Sequence, residues 1–305
     1  MFLSKKKKKW VLQRNKTFRG VLVGGSIAKN ASADYFYRKA IDKEIQKYLD
    51  ALLTDLKKVY AVFRISNSAR SENASPNGVL AVMRRYKGAK FALLMKNSRK
   101  IIEQWIKKAK RSTDKNIRKV LYEMAGKEVK ISYDANFDDL LNVMIEENVQ
   151  LIKNVSSQTI TNVESIVYDA MTTGEGWFGI EKSLKHQKEI IGDRVKRIAR
   201  DQTSKTNQAL SELTQRDAGV KFFMWRTAQD ERVSTGKGGH KQLNNKIYKW
   251  GDVEHYPVID SYGNQGLPAR RVNCRCQALP VWILEGYVPK LQADGSYEIE
   301  KGGYV

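Results

Sequence analysis

The 305-residue chain carries 55 Lys and Arg against 33 Asp and Glu, a formal net charge of +22, and 41% of its residues are hydrophobic. That length accommodates one large domain or two ordinary ones, and that apolar share supports a real core, which excludes wholesale disorder. No run of about 18 apolar residues occurs, so no membrane span is expected. The opening MFLSKKKKKWVLQRNK is charged with no apolar stretch behind it, unlike a signal peptide or an anchor.

The charge is unevenly divided. Residues 1–130 hold 33 Lys and Arg against 10 Asp and Glu, a net of +23, whereas 131–305 hold 22 against 23. A segment this basic seeks a polyanion or an acidic partner through long-range attraction and counterion release. Residues 1–30 read as a basic flexible arm. In it Lys5, Lys6, Lys7, Lys8, Lys9, Arg14, Lys16 and Arg19 would meet phosphate without base specificity.

Residues 31–130 read as a basic helical region. From Ser32, an N-cap residue type, apolar residues recur through Tyr35/Phe36, Ala40/Ile41, Tyr48/Leu49, Leu52/Leu53, Leu56 and Val59/Tyr60, the stripe of a long helix. SNSARSENASPNG (66–78) interrupts it. A second basic helix is expected over 79–111, and a shorter one from Thr113 to Gly126. The arrangement is that of a helical bundle or an elongated hairpin.

Residues 131–285 form a third segment. Helical spacing runs over 137–171, TTGEGWFG (172–179) punctuates the chain, and another helix covers roughly 180–217 with Gly219 as its C′ residue. The period then changes. VKFFMWRTA (220–228), IYKW (247–250) and RVNCRCQALPVWI (271–283) read as strands, and the tail 286–305 as irregular and exposed. The expected fold class is α+β: long basic helices in the N-terminal part, then a helical segment leading into a small, mostly antiparallel sheet.

Candidate chemistry gathers in 225–276. His240 with Cys274-x-Cys276, and His255 as a possible fourth ligand, offers zinc a borderline-to-soft donor set. Against this, structural zinc usually uses paired Cys-x2–4-Cys knuckles, and two thiols on one strand face also pack as small hydrophobes. A Cys–His nucleophile lacks any flanking signature. Asp230 and Glu231 are consecutive and would face opposite ways on a strand, which suits paired acid–base work poorly. GGS (24–26) and GKGG (236–239) are glycine-rich enough to cradle phosphate but match no phosphate-binding fingerprint.

Five blocks in order, NVQLIKNV (148–155), VESIVYDAMTTGEG (163–176), RIARDQTSKTNQAL (197–210), WRTAQDERV (225–233) with His240, and PARRVNCRCQALPV (268–281), resemble the Mu F-like phage minor head protein family. The residues that match the family pattern are Arg200, Asp201, Trp225, Arg226, Asp230, Arg232, His240, Asn273, Cys274 and Cys276. Ser234 stands where the family usually has a second Arg, and the loop before His240 is lengthened by GKGG. The resemblance implies a virion component inside the capsid near the portal vertex, made in the host cytoplasm. It would act in head morphogenesis, with DNA packaging or delivery as a further role. Its partners would be the portal protein, other capsid components and, non-specifically, DNA. It implies no enzyme and no cofactor beyond the zinc considered above. The rival reading is an enzyme with a degenerate ADP-ribosyltransferase-like or zinc-dependent site in 225–276.

Overall fold

A computed structural model describes residues 20–27, 31–66, 76–126, 128–131, 136–173 and 177–302. The basic arm residues Lys5 to Lys9, Arg14, Lys16 and Arg19 lie outside them. Strand β1 (Val21–Val23) is followed by helices α1 (Ala31–Ser66), α2 (Pro76–Lys87), α3 (Ala89–Ala125), α4 (Asn136–Thr173) and α5 (Trp177–Asp217). Then come β2 (Phe222–Arg226), β3 (Ile247–Lys249), β4 (Gln277–Ile283), β5 (Tyr287–Leu291) and β6 (Tyr297–Lys301). Short 3-10 turns at His240–Leu243 and Val253–His255 flank β3. The fold is α+β.

The chain divides into two compact units that cross the composition boundary at 130. One comprises Met1–Ala31, Lys107–Leu140 and Asp201–Val305, the other Ser32–Ile106 and Leu141–Arg200. Among its described residues, the secondary structure of the second unit is helical. Its centre is aromatic: the Tyr37 ring stacks on Trp105 at 4.3 Å between centroids, and the Tyr37 hydroxyl donates to Asn148 Oδ1 at 2.9 Å. The Tyr48 hydroxyl ties α1 to the Tyr86 carbonyl at 2.6 Å. Several of the basic residues here meet carboxylates on neighbouring helices, as in Arg85–Asp55, Lys87–Glu164 and Arg99–Glu146. Exposed pairs of this kind add little stability.

The first unit is built on an antiparallel six-stranded sheet in the order β1-β4-β2-β3-β6-β5. Alternation along β2 supplies both faces. Phe222 and Met224 join Val21, Ile247, Leu279 and Val281, while Phe223 and Trp225 join Tyr248, Trp250 and Ala278. The C-terminal part of α3 packs Ile117, Val120, Leu121 and Met124 against Leu22 and Val220.

Five expectations from sequence need correction. Ser32 sits inside α1, one residue past its start, and is not its N-cap. Thr113 starts no helix: it is buried within α3, where its hydroxyl donates to Asn207 Oδ1 at 3.2 Å, and the chain breaks at Gly88 instead. Regular strand structure begins only at Gln277, so both cysteines precede it. The tail is an ordered hairpin, with β6 joined to β3 through Ile247 and Tyr297. Nor does all of 1–30 behave as an arm: β1 pairs with β4, and Gly24 lies where a Cβ would come within 2.6 Å of Met124 Sδ and Pro280 Cγ. That glycine serves close packing rather than phosphate. Each missed element is short or depends on a distant partner, which local periodicity does not register.

Helix α5 ends as its sequence predicts. Gly219 has φ +78°, with Val220 N–H donating to the Gln215 carbonyl and Gly219 N–H to that of Arg216, both at 2.9 Å. This is a Schellman closure. No atom obstructs a Cβ there, so Gly219→Ala isolates the left-handed backbone cost. The variant should lose about 1–2 kcal/mol in urea unfolding with an unchanged m-value.

Candidate functional site

The polar run in α5 is buried almost all round, and the side chains along one side of it reach the segment 273–278. Asp201 Oδ1 accepts the Asn273 N–H at 2.6 Å, and the Ser204 hydroxyl donates to the Cys274 carbonyl at 3.0 Å. Gln208 Oε1 accepts the Ala278 N–H at 3.2 Å, and Gln215 Nε2 donates to the Ala278 carbonyl at 3.2 Å. These bonds satisfy backbone groups of Asn273 and Cys274, ahead of β4, and of Ala278 near its start. Asn273 takes a left-handed turn at φ +60°, after which Cys274 and Cys276 are both buried on one side of the chain.

His240 comes to them from the other direction. Its backbone N–H donates to the Ser234 hydroxyl at 3.1 Å, and Lys241 N–H to the Ser234 carbonyl at 3.1 Å. GKGG forms a tight turn rather than a phosphate cradle. Gly238 has φ +68° and would place a Cβ 2.1 Å from the Asp260 carbonyl oxygen, so only glycine lets these loops touch. The imidazole is then fixed at both nitrogens. Nε2 lies 3.0 Å from the Ile259 carbonyl, and Nδ1 lies 3.4 Å from Cys274 Sγ and 3.5 Å from Cys276 Sγ. Trp225, fully buried, sets its ring edge-on to His240 at 5.4 Å.

The sites expected from sequence therefore separate. His240, Cys274 and Cys276 converge, with ligand atoms within 4.8 Å of one another. His255 does not join them; it pairs with Asp252 at 2.7 Å. Arg226 is half-buried at the end of β2, opposite Gln277, and Arg200 is exposed. Asp230 and Arg232 do secure the loop: Asp230 Oδ1 accepts the Arg232 N–H at 3.2 Å. Asp230 also takes a two-pronged bond from Arg275, which sequence reading missed. Arg275 lies between the two cysteines and alternates away from them, a signal present in the period-2 pattern of NCRCQ. The Asp201, Ser204, Gln208 and Gln215 clamp carries a signal too, as polar residues at helical spacing along one side of α5.

Electrostatics follow from these contacts. Hydrogen bonding from Arg275, aided by Arg232, holds the Asp230 carboxyl far below the ordinary carboxylate range, so it is a poor proton acceptor. Between the thiols, the hydrogen bond with Cys276 draws the Cys274 pKa down, and the same bond pushes that of Cys276 up. A cavity of about 190 Å³ opens beside them, lined by Ser234, His240, Asn273 and both cysteines, with Arg232, Arg271 and Arg275 around it.

Residues 161–279 match the family model described as Phage Mu protein F like protein. Over this stretch the chain is similar to the Mu F-like family. The matched residues hold every element of the clamp and the cysteine–histidine cluster. The chain is also similar to an uncharacterised protein of Haemophilus influenzae, with 31% identity over 150 residues, 48% of this chain and 30% of that relative. It thus spans about a third of the relative's length. No solved structure matches.

A pH prediction follows from Asp230. Its pKa is lower folded than unfolded, so its pairing stabilises fully above about pH 4 and is lost as pH falls further. Thermal midpoints of the wild type should therefore drop more steeply below about pH 4 than those of Asp230→Asn. Parallel acid limbs would remove Arg275–Asp230 as a folded-state interaction.

Proposed function

We propose that the protein is a minor head protein of a tailed bacteriophage, held at the portal vertex inside the capsid and acting in head morphogenesis. The observation that carries this reading is the Mu F-like match over 161–279, which includes the whole clamp. The locked state of Asp230 argues the same way. Its carboxylate is engaged by Arg275 and Arg232, which makes Asp230 a poor general base for the transferase or hydrolase reading.

The basic N-terminal half is proposed to meet DNA, in packaging or delivery. Support comes from α3 within the sheet-bearing unit. Lys107, Arg111, Lys115 and Arg118 are all exposed, and steps of three and four residues put them on one helical stripe. That stripe spans about 17 Å at 1.5 Å per residue, long enough to follow several phosphates.

Two measurements test the proposal. Mass spectrometry of purified virions of the source phage should find the chain in the particle, with the portal protein retained when the chain is used as bait. Its absence from virions would overturn the head assignment. For DNA, log affinity should fall linearly with log salt. Replacing Lys107, Arg111, Lys115 and Arg118 by Gln should lessen the slope by about 3–4 if each meets one phosphate. An unchanged slope would remove α3 from the interface.

A further inference from the structure

We propose that His240, Cys274 and Cys276 bind one zinc ion tetrahedrally, with the fourth position taken by a solvent molecule or small anion from the adjoining cavity. The nitrogen–sulfur distances already fit. Zinc bonds of about 2.3 Å to sulfur and 2.0–2.1 Å to nitrogen, at a tetrahedral angle, put nitrogen and sulfur about 3.6 Å apart. The structure places His240 Nδ1 at 3.4 Å and 3.5 Å from the two sulfurs. The donor set of two thiolates and an imidazole suits zinc and excludes magnesium or calcium, which take oxygen.

The surroundings orient the ligands. A proton on Nε2 satisfies the Ile259 carbonyl at 3.0 Å and leaves the Nδ1 lone pair facing the thiols. A carbonyl partner on the far nitrogen is what metal-bound histidines generally have. The Ile259 carbonyl is itself held by Arg271 at 3.1 Å and by a turn in which Asp260 accepts backbone N–H groups from Tyr262 and Asn264 at 3.0 Å. The cysteine side is fixed by Asp201 and Ser204 on α5. Both halves of the site are thus held by bonds that do not involve the metal.

Binding exchanges protons for metal. One Zn²⁺ displaces the two thiol protons to solvent, and the two thiolates neutralise its charge, with no oxidation or reduction. His240 stands on the 227–246 connection and the cysteines on 271–276, two stretches without strand pairing of their own. The ion would join them across the cavity. Among the described residues no other His, Cys, Asp or Glu completes the set, so the fourth ligand comes from the cavity. Arg232, Arg271 and Arg275 around that cavity favour an anion or hydroxide there.

This inference does not depend on the head-protein reading. The test uses the full chain, purified reduced and without chelator. Elemental analysis should find about one zinc per chain. Cobalt(II) titrated into the stripped protein should give thiolate charge-transfer absorption and tetrahedral ligand-field bands. Cys276→Ser and His240→Ala should each abolish stoichiometric uptake while keeping the helical circular dichroism. Should a variant unfold, the wild-type cobalt spectrum decides. Added azide should shift the ligand-field bands, since one position is open. A wild-type protein with two titratable thiols that takes up neither zinc nor cobalt at micromolar metal overturns the site. An uptake spectrum unaltered by Cys276→Ser also overturns it, and indifference to azide overturns the open position.

Discussion

A polar helix face bonded to an irregular strand is the constraint on which the rest of this domain depends. Asp201, Ser204, Gln208 and Gln215 lie on one side of α5 and bond backbone groups of Asn273, Cys274 and Ala278. In most helix–sheet packing that side would be apolar. Here apolar residues would leave the backbone of 273–276 unpaired in a buried setting, at a cost of about 1–3 kcal/mol per group. The polar face therefore acts as a substitute ladder. It lets the chain turn at Asn273 and carry both thiols towards His240 before entering β4. The Mu F-like match covers this clamp and its target together.

The charge has two different uses in the two units. In the helical unit, Arg85, Lys87 and Arg99 are spent on ion pairs with Asp55, Glu164 and Glu146 of neighbouring helices. In the sheet-bearing unit the exposed stripe on α3 is presented to solvent. Net charge alone does not separate these cases, because counting ignores which helix face each residue occupies.

Legibility in the sequence followed the range of the forces involved. Helices α1, α4 and α5, with the Gly219 closure, were readable because their signals are local: a 3.6-residue period and a glycine after the last apolar position. Strand β1 and the β5–β6 hairpin were not, since a three-residue strand and a polar edge hairpin gain their definition from partners far along the chain. At the site, the approach of His240 to the cysteines was anticipated from the block pattern. The dismissal of His255 was not, because its partner Asp252 lies three residues away and looks like ordinary helix-end charge. Arg275 was overlooked for being enclosed by two more conspicuous residues, although its guanidinium does most to fix Asp230.

The claim that α5 holds the thiol segment in place is tested most directly by native-state hydrogen exchange at the Ala278 amide. In Gln208→Ala the acceptor for that amide is gone. The account predicts that Ala278 and its neighbours in 273–278 exchange about 10-fold or more faster, while the slow amides of α1 and α4 keep their rates. Unchanged exchange at Ala278, or an equal acceleration throughout the chain, would contradict it.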